Sequence, residues 1–255
     1  MDTIKWETRD KVGYLQLQRP ERLNSLTPAV LDDLERVLDE VDADPVLRAV
    51  VVSAVGNVFC VGMDTAFLHE CFADVPGVFV PFCERYHRIL RRIEALPVVV
   101  VAAVDGLARA GGFELLIACD LVLATTRSRI ADHHIVFGMI PGAGATPRAT
   151  RKLGQARTRD LMLTGRWLQG TQIAEYGIAI EVVEPDLLDS AVEQVLERVR
   201  PLSGPCLARM KRLVNVCADI PLSEGLDLEF AEFVDYHATE PTSADGFYRW
   251  AERAR

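Results

Sequence analysis

No apolar run in the 255-residue sequence approaches the roughly 20 residues that a bilayer-spanning helix needs; the strand-like run at 97–104 is far shorter. The first ten residues lack the apolar stretch of a secretory signal, so a cytoplasmic chain is expected. An excess of positive charge is also missing. With 28 Lys+Arg against 37 Asp+Glu the net charge is −9, which argues against a general nucleic-acid binder because such a protein needs a basic field to release counterions. A small anionic ligand held by a local cluster remains compatible with that sign. The six cysteines, Cys60, Cys71, Cys83, Cys119, Cys206 and Cys217, form no C-x-x-C pair, so neither a zinc site nor a thioredoxin-like motif is indicated. Buried, reduced thiols are the expectation. No Gly-x-Ser-x-Gly elbow marks an α/β-hydrolase, and no glycine loop ends in the Gly-Lys-Ser/Thr of a nucleotide phosphate site.

What is present is globular: 49% apolar and 25% charged residues, enough for one large core. Residues 6–9 and 12–18 read as a strand pair about a turn at Asp10-Lys11. Thr27-Pro28 reads as a helix cap followed by proline at the first helical position. Val30, Leu31, Leu34, Val37, Leu38 and Val41 then fall on one helical stripe. Residues 49–54 predict a buried strand, 79–96 a helix, 97–104 a strand buried on both faces, and 121–125 another strand. Short strands alternating with helices predict an α/β fold. Near residue 201 the pattern changes to helix only, at 207–216, 222–236 and 244–255. The expected organisation is an α/β core over 1–200 and a helical segment over 201–255, whose apolar positions serve either packing on the core or subunit assembly.

Three glycine loops follow strands. In residues 106–112 the paired Gly111 and Gly112 precede an apolar helix. Amides at a helix start lack internal acceptors and can face an anion or an enolate oxygen; a plain tight turn explains the same residues. Glu114 stands in that helix among Phe113, Leu115, Leu116, Ile117 and Ala118. A carboxylate so surrounded is either paired, with Arg109 or another arginine, or it faces a polar cavity with a raised pKa suited to acid/base work. The second loop, 58–65, offers Asp64 as a helix cap and leaves the Met63 amide as a further donor. The third is 138–146. Asp132-His133-His134 is compact and polar; if extended, Asp132 and His134 share one face. No further ligands at metal-site spacing accompany them, so a metal is not expected.

The segments together resemble the crotonase superfamily, the enoyl-CoA hydratase/isomerase family, nearly end to end. Arg19-Pro20, Leu23-Asn24-Ser25-Leu26 is similar to its R-P-x-x-x-N-A-L stretch, and Phe59-Cys60-Val61-Gly62-Met63-Asp64 to its F-C-A-G-A-D loop. Residues 97–106 with Gly111-Gly112-Phe113-Glu114-Leu115 and Cys119-Asp120 are similar to P-V-I-A-A-V-N-G, G-G-G-x-E-L and C-D. Residues 138–148 resemble G-x-x-P-G-A-G-G-T-Q-R, and Leu163-Thr164-Gly165 with Ala174 to Gly177 resemble later family motifs.

The resemblance implies a spiral of ββα turns with a C-terminal helical segment, an acyl-CoA substrate and a homotrimer or dimer of trimers. It implies an oxyanion hole made by the backbone N–H groups of Met63 and Gly111, with Glu114 as acid/base. It further implies CoA or substrate contacts from Arg22, Leu23, Cys60, Val61, Asp64, Gly112, Pro141 and Gly142. Coenzyme A enters as part of the substrate, with no other cofactor; nucleic acid and membrane are not expected partners. One departure stands out. The family's second hydratase glutamate falls at His134. Hydration of a 2-enoyl-CoA by Glu114 and His134 is the first expectation. Isomerisation, decarboxylation or C–C hydrolysis of a CoA or carrier-protein thioester is the alternative, as is a silent paralogue. Gly142 stands where dienoyl-CoA isomerases and aryl-CoA dehalogenases carry aspartate, which weighs against those two.

Overall fold

The computed structural model describes residues 2–253. The chain opens with a hairpin, β1 (Ile4–Arg9) and β2 (Val12–Leu17), paired antiparallel. Its two turn residues, Asp10 and Lys11, both have positive φ, the backbone that matches the twist of a two-residue hairpin. Helix α1 (Pro28–Ala43) starts as expected: the Thr27 side chain accepts from the Val30 N–H, and Pro28 occupies the first turn.

Successive segments then each supply a strand to a large sheet, a second strand to a small sheet, and helix. The first is β3 (Ala49–Ala54), β4 (Val58–Cys60), α2 (Thr65–Ala73) and α3 (Val80–Ala95). The second is β5 (Val99–Val104), β6 (Leu107–Arg109) and α4 (Gly111–Ala118). The third is β7 (Leu121–Thr125), β8 (Arg129–Ala131), α5 (Ala145–Leu153) and α6 (Gln155–Thr164). After β9 (Leu168–Gln169) and α7 (Gln172–Glu175), β10 (Glu181–Val183) closes the large sheet. The large sheet runs β1-β2-β3-β5-β7-β10, parallel from β2 onward; the small one runs β4-β6-β8-β9. These are the anticipated ββα turns. The three-residue strands β4 and β6 fall within the glycine loops read at 58–65 and 106–112, and β8 in a stretch given no strand.

Both faces of the large sheet are covered, which explains its unbroken valine runs. Val50, Val52, Val100, Ala102, Val104 and Val122 face α1, α3 and α4. Ala49, Val51, Val101, Ala103 and Leu123 alternate to the other face, against Leu188, Val192, Val195 and Val199 of α8 (Leu188–Val199). The chain ends in α9 (Gly204–Cys217), α10 (Leu222–Thr239) and α11 (Asp245–Arg253). Expected positions 254 and 255 of the last helix lie outside the described residues. Lys211 ties α9 to the core through Asp120 at 2.8 Å and the carbonyls of Ile93 and Val98. Among the thiols, Cys60, Cys71 and Cys119 are buried. Cys83 and Cys206 are half-buried and Cys217 is exposed, so the expectation of buried cysteines fails at Cys83, which borders a cavity, and in α9.

Candidate active site

Helix α4 begins at Gly111, two residues earlier than its first large apolar residue. All eight of its residues are buried. Glu114 is therefore carried into the interior, 3% exposed, on the wall of a cavity of about 360 Å³. Among the described residues it is bonded to no arginine. Its Oε1 accepts the Ala143 N–H at 2.7 Å and the Ala145 N–H at 3.3 Å, while no protein donor among the described residues reaches Oε2. Burial raises its pKa above the ordinary glutamate value. The His134 ring and the two amide bonds pull the other way without cancelling that cost. The ion-pair expectation thus gives way to a carboxylate held by backbone and open to a cavity. Arg148, nearest in sequence to the amides that hold Glu114, pairs instead with Glu94 at 2.7 Å and donates to the Ala143 carbonyl. That bond fixes the loop whose N–H groups grip Glu114.

His134 lines the same cavity. The chain is not extended there: His133 turns with φ +62 into a short helical turn, His134–Phe137. The Asp132 side chain still reaches His134, with Oδ1 2.9 Å from Nδ1. A carboxylate can only accept, so Nδ1 carries the proton and Nε2 is left for the cavity. Burial disfavours the charged ring, but the Asp132 bond and charge, aided by Glu114, outweigh it and lift the His134 pKa above the usual value. His133 takes no part; it packs on Trp167 and its Nδ1 lies 3.1 Å from the Gly165 carbonyl.

Two backbone stretches meet beside these groups. Gly62 has φ +88, and a Cβ on it would fall 2.9 Å from the Gly111 nitrogen, so only glycine allows the approach. Residues on either side of Met63 bond to Leu26: the Leu26 N–H donates to the Gly62 carbonyl at 2.8 Å, and the Asp64 N–H to the Leu26 carbonyl at 2.9 Å. Neither the Met63 N–H nor the Gly111 N–H has a backbone acceptor among the described residues. The Met63 sulfur rests 3.7 Å from Cys71. Asp64 caps α2 as expected, accepting from the Ala66 N–H at 3.0 Å and the Ser25 hydroxyl at 2.9 Å. Ala110, which leads into α4, has φ +48, a backbone that favours glycine.

Of the residues singled out in the sequence, Glu114, His134, Met63, Gly111, Val61 and Gly142 share the cavity wall. The others do not line it. Arg22 and Leu23 are exposed on the preceding turn, and Pro141 borders a separate depression. Cys60 is fully buried, its thiol pushed up to about 12 by burial, and Gly112 packs so closely that a Cβ would lie 2.1 Å from the Cys60 carbonyl oxygen. Two polar wall residues had no functional reading in the sequence, and a third, Arg109, had been read as a partner for Glu114. Tyr86 donates its hydroxyl to the Gly111 carbonyl at 2.7 Å. Cys83 has its thiol raised to about 11, by burial and then by the Glu114 charge, so it stays protonated. Arg109 lines the wall too, but it makes no bond to Glu114. Tyr86 was hidden among the apolar positions of α3.

A sequence model of the family described as enoyl-CoA hydratase/isomerase matches residues 7–255. The chain belongs to the enoyl-CoA hydratase/isomerase family. Within this crotonase superfamily it is 31% identical over 239 residues to a probable enoyl-CoA hydratase of Rhizobium meliloti, covering 94% of this chain and 91% of that one. It is 32% identical over 229 residues to an enoyl-CoA isomerase/hydratase of Mycosarcoma maydis, covering 86% and 82%. A solved enoyl-CoA hydratase/isomerase from Cupriavidus metallidurans superimposes with a TM-score of 0.89 at 28% identity, over 96% and 92% of the two chains. The α/β architecture is that of the crotonase family, and the chain is a hydratase or related enzyme of it.

Proposed function

We propose that this crotonase-family enzyme adds water to, or removes it from, a 2-enoyl-CoA thioester, with Glu114 and His134 as its acid/base pair. The observation that carries this reading is Glu114 itself. It is a carboxylate buried without a cation partner, held at one oxygen by two amides, and free at the other toward a cavity it shares with a protonatable histidine. An ionisable group placed at such cost has a use.

In the proposed step the thioester oxygen lies between the Met63 and Gly111 N–H groups. Glu114 Oε2 takes a proton from water as the water oxygen bonds to C3. The C2–C3 π pair moves toward the carbonyl, giving an enolate whose oxygen the two amides stabilise. His134 Nε2–H delivers a proton to C2 and the carbonyl re-forms. Transfer of the proton on Glu114 to His134 restores both groups. Water's atoms are thereby divided between C2 and C3, and no cofactor beyond the substrate's own coenzyme A is needed. Val61 and Gly142 serve as acyl contacts, and exposed Arg22 with Leu23 as contacts for the CoA arm. We assign 201–255 to assembly of a homotrimer or dimer of trimers, on the apolar side chains that α10 leaves exposed.

Glu114→Gln tests the reading. The Gln carbonyl keeps the two amide bonds, so fold is retained while hydration of a 2-enoyl-CoA falls about 10²- to 10⁴-fold; undiminished turnover overturns the assignment. Proton transfer between C2 and C4 needs only one carboxylate, and a relative carries isomerase in its name. Conversion of a 3-enoyl-CoA by a His134→Ala variant that no longer hydrates would favour isomerisation instead.

A further inference from the structure

Arg109 ends strand β6, paired in register with Ala131, and borders the cavity that holds Glu114 and His134. Much of that wall is apolar, with Leu26, Phe72, Phe82, Phe137 and Met139 beside the polar Glu114, His134 and Thr65. The Arg109 Nε is buried and has no hydrogen-bond partner among the described residues. The guanidinium carbon lies 5.2 Å from the centre of the Phe137 ring. That stacking orients the flat group but satisfies none of its N–H donors, which lie in the guanidinium plane. Arg109 is not bonded to Glu114, whose Oε1 is held by the Ala143 and Ala145 amides, so it does not pair with the acid/base carboxylate. A permanently charged, half-buried guanidinium at the wall of this cavity, with its buried Nε donor unclaimed, offers an anion of matching shape a place to bind.

We propose that Arg109 receives a carboxylate on the acyl chain, so that the preferred substrates are CoA thioesters of dicarboxylic acids. This rests on the acyl-CoA reading of the cavity. The phosphates of coenzyme A are the other source of an anion. They are separated from the thioester by the whole pantetheine arm, whereas Arg109 lies two residues from Gly111 and beside the acid/base groups. A carboxylate at the acyl end reaches this position when the thioester lies against Gly111.

Calorimetric binding of glutaryl-CoA and pentanoyl-CoA, saturated five-carbon thioesters that differ in the terminal carboxylate, tests this without requiring turnover. The wild type is expected to bind glutaryl-CoA about tenfold or more tightly, and Arg109→Leu to lose or reverse that preference, with Arg109→Lys intermediate because it keeps charge but not the fork. Equal weakening of both ligands in Arg109→Leu would place the arginine on the CoA moiety and overturn the proposal. So would a wild type that does not discriminate, or a variant whose oligomer dissociates while its preference stands. Failure of the hydratase reading shows separately, as turnover insensitive to Glu114→Gln, and leaves the binding comparison intact.

Discussion

Burial and a neighbouring carboxylate act on the two cavity acids in different ways, yet both pKa values move up. Glu114 is raised because its ionised form is desolvated, and His134 because Asp132 and Glu114 favour its protonated form against the cost of burial. The proposed hydration needs Glu114 ionised and His134 protonated. Its rate therefore falls as pH drops through the raised Glu114 value and falls again as pH climbs through the raised His134 value. The kcat/KM profile is expected to be a bell whose two limbs belong to the coupled pair. Asp132→Asn removes the anion on Nδ1, so its alkaline limb moves to lower pH while the acidic limb changes less; an alkaline limb that stays put would exclude His134 as the acid. Stability supplies a second test. A carboxyl whose folded pKa lies above its unfolded value costs stability as pH rises through that interval. Glu114→Gln should melt above the wild type at neutral pH, with the gap widening as pH rises from the unfolded glutamate value through the folded one. A variant less stable than the wild type across that range would reveal a partner for the carboxylate.

Asp64 shows how a single side chain sets an element. It caps α2, binds the Ser25 hydroxyl and pairs with Arg19 at 3.4 Å, which together lock the peptide next to Met63. Burial alone would raise its pKa, but the Ser25 bond, the Ala66 and Phe67 amides and Arg19 hold it below the usual carboxylate value. Asp64→Ala is expected to cost about 1–3 kcal/mol. For a chain of this size that lowers Tm by roughly 2–4 °C per kcal/mol. The deficit shrinks as pH falls through the Asp64 pKa, and kcat falls as well because the Met63 amide loses its anchor. A melting loss with unchanged kcat would separate the cap from the chemistry. This cap was legible in the sequence, as were Thr27, the helical stripe of α1 and the run of β5, because each is a local pattern several residues long. The small sheet was not. Strands β4, β6, β8 and β9 span two or three residues, too few for alternation to register. The site divides similarly. Glu114 was marked by its apolar neighbours, but the Tyr86 bond to Gly111 and the grip of Ala143 on Glu114 join residues 25 and 29 positions apart, beyond any local pattern. Arg109 read as a partner for Glu114 because nothing local showed the two side chains going separate ways.

The largest feature that a single chain leaves unexplained is its C-terminal surface. Leu222, Leu226, Phe230 and Phe233 recur at helical spacing along α10, yet Leu222 is 80% and Phe230 67% exposed. Met210 and Val214 of α9 are exposed too. Apolar patches of this kind mark surfaces that other chains cover. If copies of this chain cover them, the protein sediments as a trimer or a hexamer at micromolar concentration. A double variant, Phe230→Glu with Phe233→Glu, places two charges in the seam and yields monomers with unchanged far-UV circular dichroism and a lower Tm. A wild type that remains monomeric refutes the assembly role. Among the described residues the cavity wall comes from 26–143 of one chain, none of it from α9 to α11. The monomeric variant should therefore still bind acyl-CoA. Should dissociation abolish binding together with assembly, the seam would have to carry part of the site, and the C-terminal helices would be completing a neighbour's cavity as well as holding the copies together.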